Sequence, residues 1–392
     1  MQQSKWPEQS FNFGLFFFWC YGFVGAFPPY ITLFFSDKGL SALQIGVLMS
    51  IMQAMRIVGP NVWGWTADLL QRRVLVLRFT SAGALVAFVG MFFGETFMQF
   101  AAVMAALNLF TSAQGSQSEA LLLASLRGDL TYYGRLRLWG SVGYIFLITI
   151  SGTLLDWHGI GLVPWICWFV LAMAFMASLR FREMPIAPPH RDMPSIGAML
   201  KRREVLAFFT STGLMVGAHM AFYVFFSLYL AQHGYSKLMI GVLWAVGVIA
   251  EVAFFFWQAP IFHRFGVRTV MLASLLIAVG RFLMVGFGIE SLAVLVVAQA
   301  LHAVTFGAHH SASVATIQRW FTGPMQTRGQ ALYASASYGV GGTVGGLWLS
   351  DVWGRFSPQA IYWVASGLAL LAYFAARLSF HWQEKDAPPV RA

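Results

Sequence analysis

Twelve apolar stretches separated by short polar turns run along the chain, at 11–35, 41–67, 74–94, 96–125, 136–155 and 160–180, then 204–231, 238–262, 268–289, 291–317, 328–350 and 357–379. Phe11–Ser36 holds no Asp, Glu, Lys or Arg over 26 residues. Thr96–Ser118, Ile160–Leu179, Ser291–Gln318, Gly329–Ser350 and Phe356–Ala376 are equally free of those charges. A hydrocarbon core of about 30 Å takes about 20 helical residues to cross, so each of these stretches is long enough to span. The pattern predicts an all-α membrane protein of twelve transmembrane helices.

Composition agrees. Of the 392 residues, 58% are hydrophobic and 10% charged, against about 25% charged in soluble domains. The net charge of +10 would suggest a nucleic-acid partner only if it were gathered on one surface. Instead the Lys and Arg residues fall in short loops on alternate sides. With both termini cytoplasmic, the ends and the even-to-odd loops hold 20 of the 25, and the opposite side holds three, Lys38, Lys237 and Arg355. Such a bias orients the chain with both ends inside and accounts for the charge without nucleic acid. Cys20 and Cys167 both lie in apolar stretches, where neither a disulfide framework nor a metal site is indicated. The first apolar segment is too long for a secretory h-region and lacks a small-residue cleavage site, so it is expected to be retained.

The longest polar stretch, Phe181 to Arg203, contains Pro185, Pro188, Pro189 and Pro194 and a basic cluster at Lys201, Arg202 and Arg203. A proline-rich charged connector between equal halves marks a boundary. The expected organisation is a six-helix bundle over 1–182, a cytoplasmic linker over 183–203, and a second six-helix bundle over 204–392. Gly341, Gly342, Gly345 and Gly346 are spaced for close helix contact in lipid. No Lys-Ser/Thr follows and no strand precedes them, so a phosphate-binding loop is not indicated. Pro28, Pro29 and Pro60 fall inside spans, where kinks are expected.

Ionisable residues within spans carry the functional information. Each costs ~2.5–3.5 kcal/mol at mid-membrane on insertion scales, and such groups face a bundle interior or an aqueous cavity. Arg56, Glu119, Glu251 and Arg281 are so placed, with His219, His302, His309 and His310. Read alone, Glu119 with Arg137, or Glu251 with Arg281, serves equally well as a structural ion pair; Arg137 can also snorkel to the interface, and the histidines can be ordinary hydrogen-bonded interior groups. His302, His309 and His310 return to roughly one helical face, but no cysteine or carboxylate in that span completes a metal site.

The turn Gly64-Trp-Thr-Ala-Asp68-Leu-Leu-Gln-Arg72-Arg73 resembles the cytoplasmic signature of the major facilitator superfamily. The resemblance implies a conformational latch of Gly64, at a close helix contact, with Asp68, Arg72 and Arg73. The matching loop His263–Arg268 lacks the Asp. Glu119-Ala120, followed by Gly134-Arg135-Leu-Arg137-Leu-Trp-Gly140-Ser-Val-Gly143-Tyr144, is similar to spans four and five of lactose permease. That likeness implies substrate contacts from Glu119 and Arg137 and stacking by Tyr144. Gly217-Ala218-His219, Gly241-Val-Leu-Trp244, Ala250-Glu251-Val252, Leu301-His302 and Thr305-Phe306 resemble the 3-phenylpropionate permease branch of the same superfamily.

Arg281 and His302 match proton-coupling positions of lactose permease, but its Glu is Thr305 here and its Lys is Gln299. Apart from Glu204 at the very start of its span, Glu251 is the only carboxylate inside a second-half span and takes the expected proton-carrying role, with Arg281, His302 and His219. The resemblance implies a non-enzymatic, monomeric, alternating-access transporter of the bacterial inner membrane. It would use protons as coupling ion, with no cofactor or metal, to import a small aromatic carboxylate or a sugar. A proton-antiport exporter is the nearest alternative; a membrane sensor or scaffold is the alternative from another class.

Overall fold

The structure is a computed structural model, described for residues 9–126, 132–183 and 197–385. The expected linker at 183–203 therefore lies largely outside the described residues. No strand occurs among those described. Helices of seven residues or more are α1 Ser10–Asp37, α2 Ala42–Leu70, α3 Arg73–Phe88, α4 Phe97–Thr111, α5 Gln114–Leu126, α6 Tyr133–His158, α7 Val163–Leu179 and α8 Arg203–Tyr223. They continue as α9 Phe226–Gln232, α10 Lys237–Phe287, α11 Leu292–Ala300, α12 His309–Trp320, α13 Gln326–Tyr333, α14 Gly342–Arg355 and α15 Ala360–Lys385. Nine helical stretches among the described residues are long and apolar enough to cross a membrane.

Local chemistry explains where several helices start and bend. Ser41 and Thr96 open α2 and α4 with reciprocal capping boxes, pairing with Gln44 and Gln99 respectively. These side chains satisfy backbone N–H groups that have no partner inside the helix. The 51-residue α10 is broken at Gly266, whose φ of 75° lies in the left-handed region, open to glycine without a Cβ penalty. The expected spans 238–262 and 268–289 fall on either side of that break. Two π-helical segments interrupt the later helices, Ala303–Ala308 before α12 and Ala334–Gly341 before α14.

Two compact units form. The first comprises the described parts of Met1–Pro189 together with Phe226–Ala245; the second comprises those of His190–Phe225 and Val246–Ala392. Phe226–Ala245 packs on α1 and α6 within the first unit. The Asp156 carboxylate accepts from the backbone N–H groups of Lys237 and Leu238 at 2.8 and 2.9 Å. The Tyr30 hydroxyl donates to Ile148 O at 2.8 Å and lies 3.1 Å from Lys237 O. Cβ atoms at Gly152 and Gly241 would collide with backbone there, 2.5 Å from Lys237 O and 2.7 Å from Ile148 O.

The first unit also buries Phe13, Phe16, Phe17, Leu77, Leu122 and Phe181 in one cluster. In the second unit α8 packs on α15, where the Ser211 hydroxyl donates to Ala372 O at 2.7 Å. The expected close approach at the glycines is present: Gly341 and Gly345 face Gly213 and Gly217, and a Cβ on Gly341 would sit 2.5 Å from Gly213 O.

Candidate functional site

In the first unit, helices α5 and α6 bring Glu119 and Arg137 together. Arg137 Nε donates to Glu119 Oε1 at 3.0 Å, with side chains 30% and 34% exposed. α1 supplies a third member, Tyr21. Its hydroxyl donates to Glu119 Oε1 at 3.4 Å, and its ring lies under the Arg137 guanidinium at 3.8 Å. Gly140, one turn beyond Arg137, leaves the room required, since a Cβ there would be 2.7 Å from Arg137 Nη1 and 2.9 Å from the Tyr21 ring. Nearby, Cys20 Sγ donates to Gln114 Oε1 at 3.9 Å. Tyr144 lies two turns further along α6, half-buried, and its backbone meets α1 opposite Gly25.

The sequence reading passed over Tyr21. It lies 98 residues before Glu119, on a different helix, among aromatic residues that make up 16% of the chain. A tyrosine lying ten residues into an apolar helix carries no signal of its own.

At the end of α2, Arg73 Nη2 donates to Asp68 Oδ1 at 3.4 Å, with side chains 27% and 51% exposed; pairs so open to solvent contribute little. Arg72 is the residue immediately before α3. Gly64 corrects the sequence expectation: a Cβ there meets nothing within 4 Å, so no close helix contact requires glycine. Arg56 is exposed on α2. In the corresponding loop of the second unit, Arg268 pairs with Glu384 of α15.

The second unit gathers Arg281, His219, His302 and Thr305. Arg281 is 1% exposed. Its Nε donates to Ala298 O at 2.7 Å and its Nη1 to Thr305 Oγ1 at 3.1 Å, with His219 Nε2 3.5 Å away. His219 Nδ1 lies 2.9 Å from Met215 O. A carbonyl only accepts, so Nδ1 carries the proton and Nε2 is left to accept from Arg281. The guanidinium stands 5.0 Å from the Phe222 ring and 5.7 Å from the Phe282 ring. The rings of His302 and Phe306 stack at 5.2 Å and those of Phe306 and His310 at 6.1 Å, a ladder through the π-helical turn. Tyr333 and Tyr338 reach His310 Nδ1 at 3.3 and 3.2 Å.

Glu251 is half-buried against the middle of that turn, its Cγ 3.2 Å from the position of a Cβ on Gly307. The hydrogen bonds of Arg281 go to a carbonyl, a hydroxyl and an imidazole, all neutral acceptors. Thr305, standing where a sugar symporter has its Glu, is one of them.

The chain is similar to other transporters. It is 28% identical over 384 residues to a probable 3-phenylpropionic acid transporter of Escherichia coli (strain K12), covering 95% of this chain and 97% of the relative. A maltose permease of Geobacillus stearothermophilus is 25% identical over 275 residues, 69% of each chain. Among solved structures, the nucleoside transporter NupG superposes with a TM-score of 0.83 at 14% identity, covering 95% of this chain and 99% of that one. The POT family transporter PepTSo gives 0.76 at 13%, covering 98% and 99%. At those identities the likeness concerns the fold. The sequence profile of the MFS_1 like family matches residues 11–364, and the chain belongs to that family: it is a membrane transporter of the major facilitator type, not an enzyme.

Proposed function

We propose that this protein is a proton-coupled importer of a small organic solute, with an aromatic carboxylate of the 3-phenylpropionate type as first candidate. The full-length likeness to a probable 3-phenylpropionic acid transporter carries the cargo class. In this reading twelve helices span the bacterial inner membrane with both termini cytoplasmic, and a monomer works by alternating access. The halves are 1–182 and 204–392, joined by the linker 183–203. Glu119, Arg137 and Tyr144 contact cargo, and Tyr21 joins them on the strength of its place against the ion pair. Glu251 carries the proton, and Arg281, His302 and His219 couple it to the cargo. Gly64, Asp68, Arg72 and Arg73 form the latch; the Asp68–Arg73 pair supports it, and the open space at Gly64 limits that residue's part.

A galactoside or other sugar is the second reading. It is favoured by the likeness to a maltose permease and by an acid–arginine pair beside an aromatic ring, which suits hydroxyl recognition.

The test uses proteoliposomes with a trapped pH dye. Phenylpropionate, cinnamate, lactose, melibiose or nucleosides are added outside, and Glu251→Gln serves as control. Inward acidification with one cargo, abolished in the mutant, is expected. Uphill uptake persisting in Glu251→Gln removes that residue from the proton path, and alkalinisation on cargo addition would mean exchange.

A further inference from the structure

Buried polar atoms are almost always hydrogen-bonded, and each exception asks for an explanation. Arg281 and two residues of its neighbourhood hold four exceptions. Arg281 Nη2, Gln299 Nε2, Gln299 Oε1 and His302 Nδ1 are buried without a partner. Arg281, Gln299 and His302 are 1%, 0% and 5% exposed. Gln299 Oε1 and the His302 ring converge on one spot, each 3.5 Å from where a Cβ on Gly247 would stand. Arg281 reaches the same neighbourhood through Ala298 O and Thr305, which flank Gln299 and His302 in sequence. A buried cation without a counter-charge is costly. Among the described residues this one has neutral acceptors and two aromatic faces, with no carboxylate paired to it and one arm of its fork unused.

We propose that the Arg281 guanidinium is the receptor for the carboxylate of the cargo, with Gln299 and His302 as neighbouring donors. The inference rests on the reading of the protein as an aryl-carboxylate transporter and deepens it. A carboxylate is acceptor-only, with about four lone-pair sites on two oxygens. It therefore suits one guanidinium N–H, one amide N–H and one imidazole N–H. The geometry of a guanidinium fork also fits carboxylate better than any neutral group. The aryl end meets rings on the same unit: Phe306 and Tyr223 are half-buried, 6.3 Å apart and edge to face, an arrangement that accepts a further aromatic ring. A sugar offers no charge to complete the site.

The π-helical turn from Ala303 to Ala308 begins beside His302; such turns recur at functional sites. It also brings Gly307 against Glu251. Cargo charge at Arg281, bonded to Thr305, and a proton at Glu251, against Gly307, thus address the same turn.

The experiment compares 3-phenylpropionate with its neutral isostere 3-phenylpropanamide by binding to purified, detergent-solubilised protein, in wild type and in Arg281→Gln, Arg281→Lys and Arg137→Gln. Wild type is expected to favour the acid by roughly 10- to 100-fold, and Arg281→Gln to bind acid and amide alike. Arg281→Lys, which keeps the charge and loses the fork, is expected to bind the acid ~10-fold more weakly with the amide unchanged. It decides the matter if Arg281→Gln does not purify as a monodisperse species. Arg137→Gln, at a cargo contact whose guanidinium already pairs with Glu119, is expected to weaken acid and amide alike and so keep their ratio. A ratio that survives in Arg281→Gln, an unchanged acid affinity in Arg281→Lys, or a ratio lost in Arg137→Gln overturns the assignment. Failure of wild type to bind either compound overturns the aryl-carboxylate reading itself, a different result from binding without discrimination.

Discussion

Each unit buries an arginine against aromatic rings, and the two are satisfied in opposite ways. Arg137 has a carboxylate at 3.0 Å, a tyrosine ring at 3.8 Å and nearly a third of its side chain in contact with solvent. Arg281 has a carbonyl, a hydroxyl, an imidazole and almost no exposure. The first is an ion pair complete in itself, and a ligand there competes with Glu119 for the same N–H groups. The second is a buried cation with neutral acceptors and one N–H group that finds no hydrogen-bond partner among the described residues. A buried charge alone therefore says little about function; what matters is whether its partners have already neutralised it.

That contrast can be broken from either side. The largest effect is expected from Glu119→Gln, which strips Arg137 of its counter-charge and makes it resemble Arg281. Solvent access softens the penalty, so a loss of about 1–3 kcal/mol in stability is expected, with at least ~10-fold slower cargo uptake. Thermal unfolding and radiolabelled uptake check both. The double variant Glu119→Gln/Arg137→Gln should recover part of the stability, since neighbouring groups couple non-additively; no recovery would mean that the pair is not a unit.

Next comes Thr305→Val, which removes a neutral acceptor from Arg281 at nearly constant volume. It should destabilise the second unit by about 1.5 kcal/mol, read as a lower unfolding midpoint. Gly140→Ala should cost ~1 kcal/mol, because its new Cβ forces Arg137 and Tyr21 to shift. Cargo affinity should weaken a few-fold while the Arg281 cluster stays untouched. Tyr21→Phe is the mildest change. It deletes a 3.4 Å hydrogen bond but keeps the ring beneath the guanidinium, so about 0.5 kcal/mol or less is expected; an effect as large as that of Glu119→Gln would make the hydroxyl, rather than the ring, the important part.

The elements were legible to the extent that they depend on lipid. Uncharged runs such as Phe11–Ser36 announce helices because no other structure satisfies its backbone there. The Glu119–Arg137 pair was legible because its two members sit at the ends of consecutive spans. Tyr21 was hidden because it arrives from a distant helix. Thr305 was seen only as a missing glutamate, although its hydroxyl is what holds Arg281. The π-helical turns leave no trace in hydropathy, since they are a shift of hydrogen-bond register and change no residue type. Gly64 misled because its motif position implied a neighbour, and no described residue comes within 4 Å of a Cβ there.

The hold of Asp156 and Tyr30 on the stretch that begins at Lys237 has a consequence for variation. Both grip main-chain atoms, the N–H groups of Lys237 and Leu238 and the carbonyl of Lys237, which every residue but proline supplies alike. Drift at 238 should therefore be nearly silent, and drift at 237 should cost little beyond its 3.9 Å ion pair with Asp156, with proline as the exception, whereas Asp156 and Tyr30 have no such latitude. A saturation library across these four positions would come back lopsided, permissive on the side that is held and strict on the side that holds.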